Sequence, residues 1–235
     1  MITIKNKIED NYFLPDDSKE AKVRLLEFMA IPEETFISCF GFTLQEAYDV
    51  ILDLDSKGVK QSLLLDYSQG SGPSARPKIK NLIQKCSNTK VVLTAAGPKS
   101  NRPTSAFFHI KGMVKIPSDK RKAPFCMEGS TNVTISGFSQ TNTMRFFANK
   151  IWSDKFVEQH LEVREWALKF LPHYQPSILA DNSDAVDYFF DNFETIINNL
   201  KDENFLKKFS HEPFLFQRLN IDKEKIFIQR IINSL

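Results

Sequence analysis

His109-Ile110-Lys111 sets an imidazole and an ammonium two residues apart. In an extended segment that spacing turns both side chains to one face. Imidazole, with an ordinary pKa of about 6.5, is largely unprotonated at neutral pH and can attack an electrophilic phosphorus. A neighbouring ammonium neutralises charge on an anionic substrate. About twenty residues later, Gly129-Ser130-Thr131-Asn132 repeats the i, i+2 geometry with a hydroxyl and an amide. His109, Lys111, Ser130 and Asn132 therefore make a set suited to a phosphodiester. One group attacks, and the others hold the phosphoryl oxygens as charge develops on them. The sequence has no Asp/Glu/His cluster at metal-ligand spacing, no P-loop and no GxGxxG, so metal-independent chemistry without a cofactor is expected.

Such a set works only if strands hold it. Apolar and β-branched runs at 35–42, 59–67 and 91–93 read as buried strands. Between them, 43–56 (with Thr43 as cap and Gly58 just past the end) and 75–86 read as helices. An earlier helix at 18–29 has Ser18 as its cap. Strand, helix, strand, helix, strand at this spacing implies a sheet that is parallel at least in part. Shorter apolar runs at 106–116, 125–128 and 144–148, then a helix over 153–171, complete a mixed sheet between helices. The default for the segment around Ser130 is a turn followed by a strand. The small polar residues at 68–74 suit a loop at the substrate entrance.

The chain has 235 residues, 42% hydrophobic and 26% charged, which excludes a mostly disordered polypeptide. No apolar run approaches the roughly 18–20 residues of a membrane span. The first ten residues alternate apolar with charged, unlike a signal or transit peptide. Cys39, Cys86 and Cys126 lie far apart with no CxxC pair, so neither a disulfide framework nor a zinc site is expected, and a cytoplasmic setting is. Charge is uneven: residues 1–170 balance at +5 and residues 171–235 at −3. A basic front half is compatible with an anionic substrate. Pro172, His173, Pro176 and Ser177 read as a linker, so the expected domains are 1–171 and 172–235. In the second, 184–200 and 222–235 read as helices, and eight of the 21 phenylalanines fall there, which suits a small helical appendage packed on the main domain.

HxK followed by GSxN, each at a strand end behind a βαβαβ segment, resembles the phospholipase D superfamily over roughly residues 35–171. The resemblance implies an α/β fold with a mixed β-sheet sandwiched by helices. It also implies phosphodiester cleavage through a phosphohistidine, with Lys111, Ser130 and Asn132 holding the phosphate. The family's chemistry uses two such histidines, one as nucleophile and one as acid and base. This chain has a single HxK, so the resemblance implies a homodimer in which His109 of both copies faces one phosphate. The pattern departs in two places. Ile116 stands where the family has the motif aspartate, with Asp119 three residues on, and no acid follows Asn132 until Asp154. Glu128 is the candidate replacement for the second.

One-motif relatives are mostly nucleases, so DNA or RNA is the expected substrate. Lys115, Lys120, Arg121 and Lys122, which follow the motif closely, are the expected substrate-binding residues, with Lys78, Lys80, Lys99 and Arg102 on preceding elements. No membrane partner is expected. The restriction endonucleases of this superfamily join such a domain to a recognition region, which makes the appendage a candidate for sequence recognition. Two alternatives stand beside the nuclease: a phospholipase-type hydrolase of another phosphodiester, and a non-catalytic module that binds phosphate or nucleic acid.

Overall fold

Three buried apolar runs form the parallel core of the sheet, β2 (Glu34–Cys39), β3 (Gln61–Asp66) and β4 (Thr89–Thr94). The structure is a computed structural model that describes residues 9–66, 69, 74–94, 96–100 and 108–170. Crossover helices α2 (Gln45–Ser56) and α3 (Arg76–Lys85) join the three strands. Gly58, at φ +77°, closes the turn after α2 in a conformation that side chains resist. Four antiparallel strands extend the other side: β5 (Lys111–Ile116), β6 (Phe125–Gly129), β7 (Asn142–Ala148) and β1 (Glu9–Leu14). The order is β1-β7-β6-β5-β2-β3-β4. The expected mixed sheet is what forms, with its parallel and antiparallel halves meeting at β2.

Helix α1 (Ser18–Met29) packs beside α2 on one face, and Lys78 of α3 lies over the Tyr48 ring of α2 on that same side. Helix α5 (Lys150–Phe170) takes the opposite face, crossing β4, β2 and β5. Gly112 permits this crossing, since a Cβ there would sit 2.6 Å from the Phe156 ring. On the α5 side, β6, β7 and β1 carry exposed side chains, including Phe13, which is 66% exposed, and Arg145.

Several local expectations change. Strand β1 was not anticipated, because its charged and polar residues on the bare face mask the alternation. Asp17, not Ser18, occupies the cap of α1, and its carboxylate accepts from Phe13 N–H at 2.7 Å. Helix α2 starts at Gln45 because the N–H groups of Thr43 and Leu44 both donate to Val133 O, so Thr43 caps nothing. No strand follows Asn132. Val133 makes one parallel bridge to Phe42, and Thr134 then caps α4 (Ile135–Ser139), its hydroxyl accepting from Gly137 N–H at 2.9 Å. Arg102, most of the 68–74 loop and the expected 172–235 unit with its helices lie outside the described residues.

Candidate active site

Three strand ends meet where β2 finishes. Lys111 opens β5 opposite Cys39, the last residue of β2, and antiparallel pairing brings the end of β6 to the same edge. His109 and Ile110 thus enter the sheet where Ser130 to Asn132 leave it. This is the seam at which connections to the two halves diverge, and such seams leave a crevice for ligands in open α/β sheets.

The two residues after β2 hold the two motifs. Phe40 N–H donates to Ile110 O at 3.1 Å. The Phe40 ring meets the His109 ring at 5.1 Å, and the Lys111 ammonium lies 5.3 Å from the same ring centre. His109 and Lys111 therefore share one aromatic neighbour, and the ammonium also reaches His109 O at 3.4 Å. Gly41, next along, donates its N–H to Asn132 Oδ1 at 3.1 Å and accepts from Val133 N–H at 2.8 Å. Because a backbone donor occupies Oδ1, the Asn132 NH2 group is turned away from Gly41 as a pair of donors. A Cβ on Gly41 would lie 3.0 Å from Asn132 Cγ, so any larger residue would press on the Asn132 side chain.

Ser130 is fixed by a reciprocal pair with Thr143. Its N–H donates to Thr143 O at 3.1 Å, and its Oγ accepts from Thr143 N–H at 3.0 Å. The hydroxyl proton is left to donate elsewhere. Buried Thr131 adds a bond from its own hydroxyl to Thr143 O at 3.1 Å. Gly129 precedes them because a Cβ there would fall 2.2 Å from Thr143 O.

Partial burial, and then the Lys111 charge, hold the exposed His109 imidazole below its ordinary pKa, with Asp66 pulling the other way. Burial also lowers Lys111, again opposed by Cys39 and Asp66. Asp66 is the acid that the sequence reading passed over. It ends β3 fully buried, and its Oδ2 accepts from Phe108 N–H at 2.6 Å, one residue before His109. Its place at a buried strand end, ahead of a polar loop, was the available signal. Glu128 does not fill this role. It pairs at 3.7 Å with Arg145 on the face shared with α5.

The expected substrate-binding residues are elsewhere. Lys115 is fully buried on the α1 face, its ammonium donating to Met29 O at 2.6 Å, Ile31 O at 2.8 Å and Thr35 Oγ1 at 2.8 Å. It shares a face with Lys111, but four residues along the strand carry it into the core. Lys120, Arg121 and Lys122 sit in the β5–β6 turn, at the end of β5 remote from Lys111, and Arg121 is held by Asp119. Following in sequence meant departing in space. Asp119 is likewise engaged there and does not replace the missing motif aspartate. Lys99 pairs with Glu162 at 2.6 Å. Of the cations on preceding elements, Lys78 of α3 bonds near the site. Lys78 donates to Thr43 O, two residues from Gly41.

A cleft of about 760 Å3 opens beside Lys111 and Gly129, between Trp152 and Phe156 of α5 and Arg145 of the bare face. NucT from Helicobacter pylori superposes with a TM-score of 0.56 at 20% identity, over 67% of this chain and 96% of that one. Nuc from Salmonella typhimurium, a phospholipase D family member, gives 0.53 at 16% identity, over 67% and 94%. The chain has the phospholipase D fold. Phosphatidylserine synthase from Haemophilus influenzae Rd KW20 shares it at a TM-score of 0.52 and 9% identity, over 79% of this chain and 44% of that one. No protein-family model and no curated sequence matches the chain. The phospholipase D fold thus spans about two thirds of the sequence. Among the described residues no helix is long and apolar enough to cross a membrane.

Proposed function

We propose that the chain is a phosphodiesterase of the phospholipase D superfamily, a metal-independent nuclease that cleaves DNA or RNA in a homodimeric site. The observation that carries this reading is the convergence on residues 40 and 41. Phe40 packs against both His109 and Lys111, while Gly41 orients Asn132. An imidazole held below its ordinary pKa is a free base at neutral pH, as a nucleophile must be. Lys111, the Ser130 hydroxyl and the Asn132 amide are donors for phosphoryl oxygens in the trigonal-bipyramidal transition state.

In the proposed reaction a ring nitrogen of His109 bonds to phosphorus as the P–O bond to the leaving group breaks. The bound phosphate anion favours the protonated form of the second copy's His109, which gives its proton to that leaving oxygen. Water then attacks the phosphohistidine, passing its proton to the same second imidazole, and the P–N bond breaks. The part of the sheet left bare by α5 offers the second copy a packing surface, with Phe13 exposed on it. Lys78, whose ammonium reaches Thr43 O beside the Gly41 turn, suits a polyanion. The phosphatidylserine synthase that shares the fold keeps a lipid phosphodiester as the second reading.

Incubation with single- and double-stranded DNA and RNA in excess EDTA, beside His109→Ala, tests the reading. Cleavage that resists EDTA and is lost in the variant is the expected result. Binding without cleavage, unchanged by the substitution, overturns it in favour of a binding module, and cleavage of phospholipid vesicles alone favours the lipid. The solution mass of the full chain should be that of a dimer.

A further inference from the structure

A second, smaller cavity of about 430 Å3 lies at the other end of the sheet, under the last turns of α5. Strand register sets up its floor. Phe36, Ser62 and Lys90 stand in one row across β2, β3 and β4, facing α5. Lys60 and Glu34 lie at the starts of the same strands. Six-residue strands separate this row from the end of β2 where His109 sits, a distance of roughly 15 Å.

Helix α5 brings two side chains one turn apart over this floor. His160 is buried, with Nδ1 at 2.9 Å from Ser38 Oγ and Nε2 at 2.9 Å from Ser62 Oγ. Protons can be assigned around this trio. Ser38 is also buried and its hydroxyl has no other acceptor among the described residues, so it donates to Nδ1. Nε2 then carries the ring proton and donates to Ser62 Oγ. The Ser62 hydroxyl proton is left to donate into the cavity it lines.

Arg164 completes the wall. Among the described residues its Nε is buried with no hydrogen-bond partner, and its exposed chain neighbour Glu165 approaches the guanidinium at 3.9 Å. Among the described residues neither Lys60 nor Lys90 pairs with a carboxylate, and Glu34 is the one acid on the lining. The cavity is thus lined by the Ser62 hydroxyl, the Arg164 side chain and two ammonium groups, with an excess of positive charge. A planar guanidinium on the wall suits a tetrahedral oxyanion.

We propose that this cavity is a second anion site, separate from His109, that binds one phosphate group as free phosphate or as the monoester of a small nucleotide. The volume exceeds that of a bare phosphate and admits a nucleoside beside it. The site does not depend on the proposed cleavage reaction.

Calorimetric titration of the full chain carrying His109→Ala and Lys111→Ala tests this, since the first site is then disabled and no cleavage is read. Inorganic phosphate and a nucleoside 5′-monophosphate are titrated separately. One binding event per chain is expected with at least one of them, weakened at least tenfold by Arg164→Gln and by Lys90→Gln. Lys90 is exposed, so its substitution reports on binding even if Arg164→Gln disturbs packing. Phosphate and nucleotide binding equally gives a plain oxyanion site, and preference for the nucleotide gives a nucleotide site. Absence of binding to both, affinity unchanged by Lys90→Gln, or binding of a short oligonucleotide alone overturns the proposal.

Discussion

The carboxylate of Asp66 accepts the N–H of Phe108 at 2.6 Å, which ties the end of β3 to the residue that precedes His109. One buried acid thus does two things. It fixes the backbone from which the imidazole projects, and its charge favours the protonated forms of both His109 and Lys111.

Asp66→Asn keeps the shape but weakens a charge-assisted bond and removes the charge. Steady-state kinetics should show kcat falling by on the order of 10- to 100-fold with KM nearly unchanged, because a small displacement of the attacking atom is costly. A variant that keeps full kcat would leave Asp66 a purely structural residue.

The pH profile separates the neighbours of His109. Its pKa lies below the ordinary value, so the acid limb of kcat/KM should fall below about pH 6.5. Lys111 lowers this pKa, so Lys111→Met should move the limb to higher pH as it reduces the rate. Asp66 raises it, so Asp66→Asn should move the limb to lower pH. Shifts of the same sign would contradict the arrangement.

Gly41→Ala tests the other half of the site. The new methyl would meet Asn132 at about 3.0 Å and push its amide off the Gly41 N–H. A loss of at least about tenfold in kcat/KM is expected, with a melting temperature close to the parent's. Asn132→Asp should be at least as damaging, since an acceptor replaces the donors proposed to hold the phosphate.

Lys115→Met should behave in the opposite way. Removing the ammonium leaves Met29 O, Ile31 O and Thr35 Oγ1 without their buried donor. Destabilisation of about 2–4 kcal/mol is expected in urea unfolding, with activity per folded molecule unchanged.

His160 makes stability fall in acid. Burial, helped by the Arg164 charge, pulls its pKa to about 3. Between that value and about 6.5 the unfolded chain takes up a proton that the folded chain refuses, so stability declines as pH drops through this window. The slope is at most about 1.4 kcal/mol per pH unit. His160→Gln should flatten it, as urea titrations at pH 7, 5 and 4 would reveal.

The parallel half of the fold was legible because Leu63-Leu64-Leu65 and Val91-Val92-Leu93 are buried on both faces and so read as unbroken apolar runs. Strand β1 was not, since Glu9, Asn11 and Phe13 face a surface that none of the described helices covers. That His109 and Lys111 are neighbours could be read from i, i+2 spacing alone. Phe40, Gly41 and Asp66 could not, because their role arises from strand ends brought together across 40 to 90 residues of chain. Lys115 and the Lys120–Lys122 turn misled for the same reason: nearness along an extended strand is distance in space.

The seam between residues 41–44 and 130–133 is built from peptide groups: Val133 with Gly41, and Thr43 and Leu44 with Val133. Main-chain amides are the part of a protein that substitution leaves untouched. A groove hung on them can keep its outline while the surrounding residue types turn over.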